Sequence, residues 1–225
     1  MTPLRAPVNA SSANIDPVPS GSHIAVCDII AFLGVQPGTG LYPKPKPTIY
    51  LRFQLPNERV EFEKDGKKQS GPRMIGNCYT FSMHEKANLR HLLESWRGQQ
   101  FTDEQAADFD ISTALGGPCM LMVMQSQKGQ KIYSNISGIG PLPKGINPKT
   151  IIVEGTPVLY GPENTSTYKL LPNWLQEKID HQILKEPEPK EGEPAPPPRG
   201  DTWDGSEPRN DGFDSSLITD DDIPF

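Results

Sequence analysis

The sequence contains no apolar run approaching the ~18 residues that a membrane-spanning helix needs, and no basic-then-apolar start of the kind that directs secretion. Its cysteines are few: Cys27, Cys78 and Cys119 are far apart, odd in number and set among apolar residues. That pattern suits reduced core thiols in a cytoplasmic protein better than a disulfide framework. Catalytic signatures are also missing. There is no Walker-type Gly-Lys-Ser/Thr loop, no Cys-x-x-Cys pair, no His-Glu-x-x-His and no Gly-x-Ser-x-Gly, and the histidines His23, His84, His91 and His181 are scattered. These absences predict a soluble, intracellular, non-enzymatic protein with no cofactor, no bound metal and no membrane contact.

Proline and glycine are in excess. Together they make 45 of 225 residues, about twice the ordinary share of roughly 12%. They collect in residues 1–21, 36–47 and above all 186–225. Charge divides along the same line. Residues 1–185 carry 19 Lys+Arg against 16 Asp+Glu, whereas residues 186–225 carry 3 against 12, so a slightly basic body is joined to an acidic tail. Such asymmetry points to a nucleic-acid surface at one end and a protein-directed or self-shielding segment at the other.

Residues 1–21 lack periodic apolar positions and read as a flexible arm. The body is expected over 22–185. Ile24, Val26, Ile29, Ile30, Phe32 and Val35 form a first strand, bulged where Asp28 breaks the run and stopped at Pro37-Gly38. After an extended basic Pro-Lys-Pro-Lys-Pro segment, 43–47, the stretch from Thr48 to Leu55 alternates with period two. Ile49, Leu51, Phe53 and Leu55 take one face, and Tyr50, Arg52 and Gln54 take the other. Asn57 to Pro72 is charged and reads as a long hairpin loop leading to a third strand, Ile75 to Met83.

From His84 the period becomes helical. Ala87, Leu89, Leu92, Leu93 and Trp96 make an apolar stripe, with Glu85, Lys86, Arg90, Glu94 and Arg97 outside it and Gly98 as the stop; Ser82 and Glu85 have capping-box spacing. An acidic helical turn follows over Thr102 to Ala114, then two strands, Cys119 to Gln125 and Lys131 to Ile139. Thr150 to Val153 and Thr156 to Tyr160 predict a further hairpin around Glu154-Gly155, and Trp174 to Leu184 a last helix with Asn173 as its cap. Three strands, a helix and two strands is the order of the OB-fold, an all-β five-stranded Greek-key barrel with a minor helix between strands 3 and 4, which binds oligonucleotides on the face of its second and third strands.

Residues 186–219 hold almost no apolar side chains and cannot offset a chain entropy of ~1–2 kcal/mol per residue, so a disordered Pro/Gly-rich acidic linker is expected there. It ends in Asp220-Asp221-Asp222-Ile223-Pro224-Phe225, where carboxylates surround two apolar side chains and a stiff proline. A partner's apolar pocket rimmed by Arg or Lys would suit that peptide.

Asp221-Asp222-Ile223-Pro224-Phe225 on such a linker resembles the C-terminal tip of bacterial single-stranded-DNA-binding proteins. In the body, Tyr79-Thr80-Phe81-Ser82 to Arg97-Gly98, then Phe101-Thr102 and Leu142-Pro143-Lys144-Gly145, resembles phage and prophage proteins of that kind. The resemblance implies an OB-fold that coats single-stranded DNA in replication, recombination or repair. It further implies a tip that recruits partner enzymes such as helicase, polymerase, primase or nuclease subunits. Strand and loop lengths depart from the ordinary bacterial version and its early strand motifs are missing, so neither its tetramer nor its base-stacking positions carry over; the oligomeric state, a homo-oligomer included, stays open.

Single-stranded DNA is held by a basic groove and by aromatic rings that stack on bases. Tyr50 and Arg52 on the second strand, Tyr79 on the third, and Lys131 with Tyr133 on the fifth pair aromatics with cations, and Lys44, Lys46, Lys67, Lys68 and Arg73 lie in loops that could clamp phosphates. The plainer reading is that a tyrosine on the wet face of a barrel is a strand former and a loop lysine a solubiliser, and Trp96 on its stripe reads as core. Two other classes of function compete. Asp103-Glu104 or Asp108 with Asp110 could hold a metal as in nucleases, although acidic residues at a helix start explain them. Alternatively, the chain is an interaction protein, a decoy that presents the tip to a host's tip-binding pockets and coats no DNA.

Overall fold

The computed structural model describes residues 17–38, 43–64 and 67–183; the expected arm up to residue 16, the linker 186–219 and the tip 220–225 lie outside the described residues. The chain forms β1 (Gly21–Gln36), β2 (Lys46–Lys64), β3 (Lys67–Thr80), α1 (Asn88–Arg97), α2 (Asp103–Ala107), β4 (Pro118–Lys128), β5 (Lys131–Gly140), β6 (Val158–Tyr160) and α3 (Asn173–Asp180). The five long strands pair antiparallel in the order β3-β2-β1-β4-β5. This mostly-β sheet curls into a half-barrel. Its edge strands β3 and β5 approach without pairing, and α1 packs on both, closing the gap with side chains in place of a ladder.

Curling follows from the irregularities in the long strands. In β1 the register to β2 shifts between Cys27 and Ile29, which makes Asp28 the bulged residue expected from the sequence. A second shift between Phe32 and Val35 contains Gly34, whose φ of 73° favours glycine. On the concave side, Cys27, Ile30, Leu51, Phe53, Leu55, Cys119 and Leu121 meet Leu89, Leu93 and Trp96 of α1. Phe53 and Trp96 touch edge to face at 5.4 Å, so Trp96 belongs to the core, and its indole N–H donates to the Pro118 carbonyl at 3.0 Å. All three cysteines are free thiols, Cys27 and Cys119 fully buried.

The convex side is not the open face that period-two alternation predicts for β2. Ile29, Ala31, Leu33 and Tyr50 are buried there beneath Val158, Leu171, Leu175 and Ile179, a second core supplied by the chain after β5. This covering segment is not the expected hairpin. Pro148–Thr150 is a 3-10 turn, Gly155 has a φ of 93°, and only β6 is extended, pairing parallel with β1 at Ile29–Ala31. The edge of β1 beyond its pairing with β4 supplies the free backbone groups that β6 uses.

Other boundaries move for local reasons. Residues 57–72 are mostly ladder and not loop: past a register shift between Leu55 and Arg59, pairing runs from Arg59↔Pro72 to Lys64↔Lys67, flanking Asp65-Gly66. Val60 and Phe62 alternate with Arg59 and Glu61 and are half-buried, Phe62 lying over Gly71, a short period-two signal among the charges. Helix α1 starts at Asn88 and not at His84. Ser82 Oγ accepts the amide of His84, Arg90 Nη1 donates to the Met83 carbonyl, and the capping box occurs instead at Thr102 and Gln105 on α2. Arg90 is buried rather than outward, donating to Glu94, Asp103 and the Phe101 carbonyl. Helix α3 has Pro172, not Asn173, at its cap position. Residues 17–21 join the body, with Val18 buried and its carbonyl accepting from Gln125 and Ser134. Among the described residues no helix is long and apolar enough to cross a membrane.

The bulge generates a stability prediction. Asp28 is 2% exposed and accepts from Arg52 and Gln54, so Asp28→Ala leaves a guanidinium without its counter-charge and should destabilise the fold by about 3 kcal/mol in urea titrations.

Candidate nucleic-acid interface

On the convex face of β2, Tyr50, Arg52 and Gln54 follow one another at every second position, and each is engaged. The Tyr50 ring is 6% exposed and meets Trp174 of α3 edge to face at 5.0 Å. Its hydroxyl lies over Gly76, where a Cβ would collide with it. Burial raises the Tyr50 phenol well above its usual range. Arg52 donates from Nε to both Asp28 oxygens at 3.1 Å and from Nη2 at 2.7 Å. Gln54 donates to Asp28 and to the Glu154 carbonyl, each at 3.0 Å, while its own Oε1 accepts the Glu154 amide at 2.8 Å. Arg59 pairs with the Glu154 carboxylate. The middle of β2 therefore fastens the covering segment to the sheet.

The other expected contact residues fall at the two ends of the sheet. Because β1 runs antiparallel to both β2 and β4, the β2–β3 and β4–β5 hairpins project from the same end. Lys67 and Lys68 are exposed near the tip of the first, where Lys67 pairs in register with Lys64. Lys131 pairs with Lys128 across the Gly129-Gln130 turn of the second, and Tyr133, half-buried, pairs with Ser126. At the second turn like charges stand directly opposite each other, an arrangement that opposes hairpin closure. Strands β4 and β5 carry Lys128 and Lys131 at their turn and no Asp or Glu. Arg73 is half-buried opposite Leu55, nearer the barrel wall. At the opposite end, exposed Lys44 and Lys46 lead into β2. Tyr79 pairs with Ile49 and packs against the main core from its margin.

Sequence reasoning missed three features. Trp174 caps Tyr50, and its signal was an aromatic at the start of a short amphipathic helix. Met122 and Met124 stand open on the convex face of β4, with Met122 lying over Gly138. Phe81, just past β3, is 43% exposed. The acidic pairs have structural partners: Asp103 with Arg90, and Asp110 with the amide and hydroxyl of Ser112. Those Ser112 bonds hold the Asp110 carboxyl below its usual range. Among the described residues no group of three or more His, Cys, Asp or Glu could hold a metal.

No protein-family model matches the chain, and no curated protein matches it.

Covering by α3 can be measured through Cys78, which faces the second core and whose thiol burial pushes up to about 11. Trp174→Ala should cost about 3 kcal/mol and speed Cys78 alkylation by iodoacetamide at pH 8, whereas the native thiol, protonated at that pH, reacts slowly.

Proposed function

We propose that the half-barrel is an OB-fold that binds and protects single-stranded DNA without sequence preference, and that residues 220–225 recruit replication, recombination or repair enzymes. The observation that carries this reading is the Asp-Asp-Asp-Ile-Pro-Phe sequence at the end of an acidic tail of net charge -9 (3 Lys+Arg against 12 Asp+Glu over residues 186–225), joined to residues 1–185 of net charge +3. The architecture supports it: β1 lies between β2 and β4, β3 and β5 form the free edges, and a helix falls between the third and fourth strands, as a partly open Greek-key barrel requires. The protein acts in this reading by binding alone and catalyses nothing. A bacterial or phage-infected cytoplasm is its setting.

The strand would be held at the ends of the sheet, by the lysine-tipped hairpins with Tyr133 and by the basic entry to β2, since Tyr50 and Arg52 are committed to the fold. That commitment also favours the second reading, a decoy that occupies tip-binding pockets and coats no DNA. Titrating the full chain with fluorescent oligo-dT at several salt concentrations separates the two. A DNA coat should lose affinity linearly in log salt at about -0.7 per neutralised phosphate, with duplex competing poorly. Equal affinity for duplex, or none for either, overturns the proposal.

The tail supplies a second test. Removing residues 186–225 should tighten oligo-dT binding, because a tethered polyanion competes with phosphate at high local concentration. The same deletion should abolish capture of tip-binding partners, and loss of Phe225 alone should weaken that capture at least tenfold.

A further inference from the structure

Among the described residues Phe81 is the most exposed aromatic ring, at 43%, and it is not loose. Its amide donates to the Pro47 carbonyl at 2.7 Å, extending the β2–β3 ladder one residue past Thr48↔Thr80. Its ring meets that of half-buried Phe32 at 5.2 Å with a 60° tilt. Phe32 is fixed in turn by its pairing with Ile49. A phenylalanine gains nothing by facing water, yet here both backbone and ring are held so that part of the ring stays open. The adjoining strand entry is Pro43-Lys44-Pro45-Lys46-Pro47, in which alternating prolines stiffen the backbone and both lysines are exposed. Thr48 and Thr80 complete the rim. A rigid ring beside cations on a stiff segment is the combination that stacks one base while cations follow the phosphates.

We propose that Phe81, backed by Phe32, is a stacking platform for an unpaired nucleobase at the β2-entry rim of the half-barrel, with Lys44 and Lys46 beside the adjoining phosphates. This rests on the single-stranded-DNA reading and deepens it. The platform lies at the end of the sheet opposite the two hairpin tips, so a bound strand that also meets Lys131 must run across the sheet and cannot stay in one cleft.

The test uses full-length protein and oligo-dT. Phe81→Ala and Phe81→Leu should each weaken binding at least about fivefold, because leucine keeps the apolar bulk and loses the π face, while Phe81→Trp should retain affinity and show fluorescence quenched on DNA addition. An unchanged melting temperature for Phe81→Leu separates a lost stack from a damaged fold. If wild-type protein binds oligo-dT and both Phe81→Ala and Phe81→Leu bind equally well, the platform is refuted and the DNA reading survives. If wild-type protein does not bind, both fall. Affinity lost in Phe81→Leu with no quenching in Phe81→Trp also overturns stacking.

Discussion

The carboxylate of Asp28 is the constraint on which the rest of the body depends. A bulge at that position puts a charged side chain where an unbroken strand would put an apolar one, and burial would be prohibitive without a partner. Arg52 and Gln54, two and four positions beyond Tyr50 on the neighbouring strand, supply the partners. Gln54 then pairs with the backbone of Glu154, so one buried charge fixes the bend of β1, the register of β2 and the place where the chain after β5 returns to the sheet. The second core forms beside that anchor, with Tyr50 under Trp174 as its densest contact. One face of the sheet encloses the barrel interior and the other is roofed over β1 and β2, while Met74, Met122 and Met124 stay open on β3 and β4.

Much of the half-barrel was legible in the sequence. A β-branched run marked β1, the short Gly-containing turn marked the β4–β5 pair, the 3.6-residue stripe marked α1, Gly98 marked its stop, and the polar break at Asp28 marked the bulge. What could not be read had one physical cause: alternation reports how a strand's two faces differ, not what lies on them. Tyr50, Arg52 and Gln54 are as polar as a wet face, yet they are buried because a distant segment brings complementary groups to them. In the β2–β3 ribbon the alternation is present but short, Val60 and Phe62 half-buried between exposed Arg59 and Glu61, and the surrounding charges mask it. The parallel pairing of β6 gave no local signal, since three residues against a free strand edge need no pattern of their own.

For the candidate site, composition placed the lysines better than strand register placed the exposed rings. Lys67, Lys68 and Lys131 are where hairpin reasoning puts them, at or near tips, and Lys44 and Lys46 lie on the stiff entry to β2. The aromatics were harder, because a ring's exposure depends on what returns to cover it. Tyr50 looked open and is roofed, whereas Phe81, expected inside the third strand, stands just past its end at the rim.

Beside that rim the described chain ends: the amide of Ile183 donates to the Val35 carbonyl at 2.8 Å, and Val35 pairs with Pro47, whose carbonyl accepts from Phe81. The backbone leaving the body is thus pinned one strand away from the exposed ring. A chain gains at most ~3.3–3.6 Å per residue, so no atom of residues 184 to 225 can lie more than about 150 Å from that rim. The described chain thus leaves the body on the side of Phe81 and Lys46, at the end of the sheet opposite the two hairpin tips.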